Sequence, residues 1–367
     1  MRHIAILTTV LAVVTVAGNN CVLAEVPFLD RSILLAGYQE DKAGDDILNV
    51  DVGDSCAVME DCVEDCPMMV YCGPRWTVSL GTEIKQRNDM PEFPLVEGVG
   101  GRQLMATSDI DVDWGSGPRL EIARHLDCGW DLEVVYFGID NFSGSAVAYD
   151  GTPVATWFWE QFVFDELYGS YRNELYSTEL NLKWPLCEDG RFKGIAGFRW
   201  MELHEELYAE VTSAGYPLYG TTAWGSLDLG NHLYGFQLGA EGILWEPCCQ
   251  FHVEGFVKAG IYGNHADWWR KRGSILGTED CGTEECQSSF VSELALMGVY
   301  HPCCWLKAFA GWQALHLKEV ATGSVQQKEI GIIFDHAFYH GLLLGVEISF
   351  GSRYCGGCAD AGCCSCE

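Results

Sequence analysis

At 367 residues, with a formal net charge of −30 and a sequence pI near 4.5, the chain is long enough for one large domain. Its charge argues against nucleic acid as a partner. Glycine (42) and the aromatics (Trp 13, Tyr 15, Phe 17) abound, and helix-period patterns are scarce. Beyond the leader described next, no apolar run is long enough for a spanning helix.

Residues 1–24 read as a secretory leader: a positive head (Arg2, His3), an apolar core (Ile4 to Ala17) and a small-residue site, Val22-Leu23-Ala24, before Glu25. Residues 25–72 form an acidic arm that ends in Cys56, Cys62, Cys66 and Cys72, a disulfide or metal knot. Alternating strands follow over 73–350. The first is Arg75 to Lys85, and the second ends in Pro118 to Leu126. After a turn at Cys128 comes Trp130 to Ile139. Tyr171 to Trp184 and Phe192 to Leu203 flank a turn with Cys187. The hairpin within Asn231 to Asn264 turns at Cys248-Cys249, and a long loop with Cys281 and Cys286 leads to Phe290 to Tyr300. A turn at Cys303-Cys304 precedes Trp305 to His316, and Tyr339 to Phe350 is last. A tail, 351–367, carries Cys355 and Cys358.

Each apolar face runs uncharged for about ten residues, the length of a tilted bilayer-crossing strand. Short turns and long loops alternate, which a secreted sandwich has no reason to do. The expectation is an all-β, transmembrane, antiparallel up-and-down barrel of about ten strands, or about twelve if residues 155–164 add a pair, with outer-membrane lipid as its partner. Trp76, Trp130, Trp184, Phe251, Tyr300 and Phe350 fall at the short-turn ends and form one aromatic girdle, while Tyr136, Tyr176, Trp200 and Tyr234 form the other. Parity turns Glu83, Glu133, Glu179, Lys183, Lys193, Arg199, Glu241, Glu254, Lys258, Glu293 and Glu347 into the lumen. Arg124 shares the outward face of Leu120 and Ile122, so either it snorkels at the rim or the register slips. Trp305 stands out of parity with Leu306 and Ala308, the mark of a bulge.

Most cysteines would then line the short-turn rim. In an oxidising compartment, disulfides among them, or to other copies and envelope neighbours, outweigh a metal site at Cys355-Gly-Gly-Cys358. Removal of Cys21 leaves 17 cysteines, an odd number, so at least one is free or bonded to another chain. No cofactor or resident metal is expected. Asp111, Asp113 and the pair Asp335-His336 are the nearest approach to a rim protease, and adjacent strand residues make a poor catalytic pair.

Tyr171 to Lys183, Gly197 to Glu206, Leu233 to Ala240, Val257 to Asn264 and Tyr339-His340-Gly341 resemble the β-barrel porin family typical of planctomycete bacteria, over roughly Tyr71 to Phe350. The resemblance implies an outer-membrane barrel and carries no catalytic or binding residues. The functional expectation is a porin-like barrel with a narrow path for ions or small solutes. The alternative is an envelope scaffold with a plugged lumen.

Overall fold

The computed structural model describes most of residues 74–351. Residues 1–73 and 352–367 lie outside it, as do 89–93, 99–101, 127–128, 150–152, 157–161, 188–189, 214–221, 249, 275–276, 304, 323–331 and 333. The strands are β1 (Trp76–Arg87), β2 (Pro94–Gly98), β3 (Arg102–Ala106), β4 (Gly115–His125), β5 (Asp131–Tyr149), β6 (Pro153–Thr156), β7 (Phe162–Pro185), β8 (Phe192–Ser213), β9 (Thr222–Cys248), β10 (Phe251–Ser274), β11 (Gly277–Cys303), β12 (Leu306–Ala321) and β13 (Phe334–Phe350).

Ten of them close a ring of antiparallel pairs, β1-β4-β5-β7-β8-β9-β10-β11-β12-β13 and back to β1. Closure gives the backbone N–H and C=O groups of each strand a partner on both sides. Lipid demands this, because no water is present to satisfy a free edge. The question of ten or twelve strands is thereby settled at ten. Of residues 155–164, the first two end β6 and the last three begin β7, with 157–161 outside the described residues; β6 joins β2 and β3 in a small sheet at the start of β7.

The apolar set faces outward. Phe236 is 76% and Ile261 72% exposed, while Glu83, Glu179 and Arg199 are buried inside. This inverts a water-soluble barrel and fits a protein whose outer solvent is hydrocarbon. On β9 the belt runs from Tyr234 to Leu244. That is about 34 Å along the strand and, tilted, about 25 Å of membrane. Arg124 does lie outward at the rim, its guanidinium 5.5 Å from the Trp76 ring centre, and the register near Trp305 shifts between Tyr300 and Cys303.

The strand ends differ from the sequence reading. β7 to β11 run 22 to 27 residues, about twice a membrane crossing. The "loop" from Asn264 to Ser289 is mostly the paired upper arms of β10 and β11. Above the belt neither face needs to be uniformly apolar, so the alternation that marks a strand fades although the ladder continues. Tyr136, expected in the upper girdle, is only 4% exposed; Tyr176 stands beside it across Gly138.

Two connections fold inward at the upper mouth. Leu95, Met105, Ile110 and Val112 belong to the buried cluster of Phe142, Leu167, Ala209 and Val211. Asp109 holds this segment by accepting the Ala106 N–H at 2.7 Å. On the other side β12 parts from β11 after the Phe290–Lys318 pair, turns at Glu319 (φ 60°) and reaches β9. There Ala321 N–H donates to Asn231 Oδ1 at 2.7 Å, and Asn231 Nδ2 donates to Ala321 O at 2.8 Å.

Leu238 is 68% exposed at mid-belt. Leu238→Arg is expected to lower stability by about 2–4 kcal/mol, measured by urea unfolding from lipid vesicles, whereas Leu238→Ile is expected to cost little.

Candidate functional site

Among the described residues the lumen gathers the buried charge of the closed sheet, and it divides by height. At the short-turn end is a vestibule of about 390 Å³. There Asp131 accepts from Lys193 and meets His125 Nδ1 at 2.6 Å. Lys183 bridges Glu133 and Glu241, and Lys307 pairs with Glu347 at 2.8 Å. His252 stands between Glu254 (3.2 Å) and His301 (3.3 Å). A smaller cavity of about 80 Å³ continues upward between Arg119, Glu133 and Lys183.

Above it the lumen is filled. Lys258 Nζ donates to both oxygens of Glu179 at 2.9 Å and stands 3.4 Å from Glu293. Arg199 pairs with Glu293 and lies 3.4 Å from Glu179. Gln237 and Asn181 donate to Glu179 at 2.7 and 3.0 Å. On the β1 side Glu83 holds Lys85 and Arg119, each at 2.8 Å, and Lys85 donates to Gln313 at 2.7 Å. Lys85, Glu179, Arg199, Lys258 and Glu293 are at most 4% exposed. Three buried carboxylates (Glu83, Glu179, Glu293) thus face four cations (Lys85, Arg119, Arg199, Lys258), with the partly exposed Glu121 3.6 Å from Arg119 on the vestibule side. This pairing is what allows such charges to leave water at all.

Phe137 roofs the network, with Lys85 and Arg199 at 5.2 and 5.8 Å from its ring centre. Ile139, Leu175, Met201, Leu203, Leu233 and Leu315 are fully buried in the layer above. Higher still, Arg87 and Glu205 pair at 2.8 Å, and Tyr339 donates to Asn173 at 3.1 Å. The two inward connections cap the stack.

All eleven side chains assigned to the lumen by parity lie on its wall. The structure gathers Glu179, Arg199, Lys258 and Glu293 into one network and leaves Glu133, Lys183, Lys193, Glu241, Glu254 and Glu347 around the vestibule. Glu83 joins the network through Arg119. Sequence reasoning missed Lys85, Arg87, Arg119 and Glu205. Lys85 and Arg119 lie within the expected strands on their odd-numbered inward set, and Arg87 and Glu205 continue that parity just past the expected ends of β1 and β8.

In the girdle, Trp130 and Trp184 lie 6.0 Å apart, and Phe251 meets Trp245 edge to face at 6.3 Å. Tyr300 and Phe350 are half exposed outward. Cys187, Cys248 and Cys303 sit at the short-turn rim, whereas Cys281 and Cys286 lie on β11 above the belt rather than in a loop. Five positions along one strand is about 16 Å, too far for those two to bond each other. Cys248, Cys281, Cys286 and Cys303 carry free thiols. Cys56, Cys62, Cys66, Cys72, Cys128, Cys249, Cys304, Cys355 and Cys358 lie outside the described residues. Asp335 and His336 do meet, at 2.7 Å, on the exposed upper end of β13.

A closed antiparallel ring with an apolar outer belt, aromatic edges and ion pairs within defines the class: a β-barrel of the bacterial outer membrane. No family model and no curated protein matches the chain. Among solved structures it is similar to the toluene transporter TodX of Pseudomonas putida (10% identity, TM-score 0.33, covering 76% of this chain and 91% of that one). It is also similar to a FadL homologue of Pseudomonas aeruginosa (10%, 0.28, 75% and 90%) and to OmpT of Vibrio cholerae (8%, 0.16, 75% and 97%). Similarity this slight transfers no residue role and no substrate.

Glu179→Leu removes one of the two carboxylates that Lys258 and Arg199 share, leaving Glu293 to face both. The expected loss is about 3–5 kcal/mol, read as an earlier urea midpoint in detergent, with partial recovery in Glu179→Leu/Lys258→Met.

Proposed function

We propose that the chain is a shut outer-membrane barrel, an envelope component with a vestibule open toward the periplasm and a lumen closed to diffusion. The observation that carries this reading is the mid-lumen network, in which Glu179, Arg199, Lys258 and Glu293 are all but fully buried. A water-filled path would leave some of their atoms wet. The apolar layer around Phe137 adds a second seal that ions do not cross. No catalytic role is assigned to any side chain.

The second reading is the narrow channel. It is favoured by the stepwise cavities of about 390 and 80 Å³, which carry polar space part of the way inward. Planar bilayers separate the two. Folded full-length protein is expected to show no steady unitary current at moderate voltage, and regular unitary steps from the wild type would replace the shut barrel with the channel.

The cysteine-rich flanks support covalent linkage to neighbours or to other copies. Outer membranes run without reductant are expected to give species heavier than the monomer that collapse when thiols are added. Monomer alone in both lanes counts against the linkage.

A further inference from the structure

Above the belt, β5 and β7 to β10 continue as one sheet whose outward face borders solvent. Cross-strand register sets its side chains in rows. Arg172, Glu206, Asp228 and Trp269 share one row. Ser145, Ser170, Tyr208, Ser226 and Lys271 share the next. Tyr168, Glu210, Trp224 and Gly273 share the third.

The aromatic rings lie along the sheet. Tyr208 stacks on Trp224 at 6.5 Å and 20°. Trp224 covers Gly273, where an added Cβ would stand 2.6 Å from the ring, and Trp269 covers Gly282 in the same way at 2.5 Å. A ring lying over a glycine presents its face outward. Beside these platforms is an open groove of about 560 Å³, within the size range of ligand sites. Tyr168, Ser170, Arg172, Glu206, Tyr208 and Asp113 line it. The Tyr208 hydroxyl donates to Glu210 at 2.6 Å. Burial and that carboxylate push Tyr208 up to about 12, so the phenol keeps its proton.

This combination has a chemical preference. The C–H face of a pyranose ring stacks on a flat aromatic face, and its hydroxyls bond carboxylate, serine and guanidinium groups. Asp111, Asp113 and Glu206 outnumber Arg172 in the groove, so phosphate or carboxylate on the ligand is disfavoured. We propose that this outward face of the upper wall is a binding site for uncharged oligosaccharide, independent of whether the lumen conducts.

Saturation-transfer NMR on full-length protein in nanodiscs tests it, with maltoheptaose, cellohexaose and mannohexaose as neutral probes and oligogalacturonate as the acidic comparator. Transfer to ring C–H protons of at least one neutral probe is expected. Affinity for it is expected to fall at least about three-fold in Tyr208→Ala and in Tyr168→Ala and to stay unchanged in Trp305→Ala at the opposite rim. Heat-shifted gel migration checks that each variant is folded. If an aromatic variant does not fold, Arg172→Gln/Glu206→Gln reads the same groove. The proposal is overturned by no transfer from any neutral probe, by equal binding in the groove variants, or by preference for oligogalacturonate. The last two outcomes point to a different site or to a charged partner, a protein surface included.

Discussion

Ring closure is the constraint from which the rest follows. A strand in lipid cannot leave one edge unpaired, so the ten crossing strands must meet, and ten strands fix a narrow interior. An interior that narrow is filled by side chains rather than left open. Once every second residue points inward, the available fillers are whatever the sequence places at odd positions of β1, β4, β7 and β8 and at even positions of β10. In the lower half these are acids and bases. They survive because each is matched: Lys258 and Arg199 against Glu179 and Glu293, Lys85 and Arg119 against Glu83. In the upper half they are Phe137, Leu175, Leu203 and Leu233. On the proposed shut reading, the lumen is two kinds of plug in series.

The part of this that was legible in the sequence is the part where two solvents meet across one sheet. Between Tyr234 and Leu244, lipid selects one face and the lumen the other, so period-two alternation is strong and parity places Gln237 and Glu241 correctly. Above Tyr234 both selections relax. Asp267 faces outward on β10 and Trp268 inward, the reverse of the polarity lower on the same strand, yet the ladder with β11 runs unbroken from Phe251 to Ser274. A reader of alternation alone ends the strand at Asn264 and puts Cys281 and Cys286 in a loop. The hydrogen-bond ladder, which carries no side-chain signature, decides otherwise.

Pairing inside the lumen was hidden for a different reason. Parity gives the direction of a side chain but not its partner across the ring. Arg199 and Glu293 lie on β8 and β11, which do not pair with one another, and they meet only because the barrel is narrow enough for long side chains to span it. Likewise, nothing in the stretch around Leu95 and Met105 announces that it folds inward. Their burial depends on the apolar wall of β7 and β8 that receives them. Gly169 leaves room for them, since an added Cβ there would stand 3.2 Å from Met105 Sδ.

These two plugs also locate where recognition can occur. A buried, paired ion network resists change, because moving any one member exposes an uncompensated charge at a cost of several kcal/mol. The apolar layer above it is tied down from both sides, by Asp109 on one inward connection and by the Asn231 clasp on the other. The lumen is thus the most constrained part of the molecule. The inner face of the tall wall of β7 to β10 receives the inward connections, whereas its outer face is needed neither for that packing nor by the membrane. Paired backbone that projects beyond both demands, with aromatic rings laid flat over glycines, is better explained as a surface for contact than as structural support. In this barrel the interior supplies stability, and the exterior above the belt is where a ligand has room to bind.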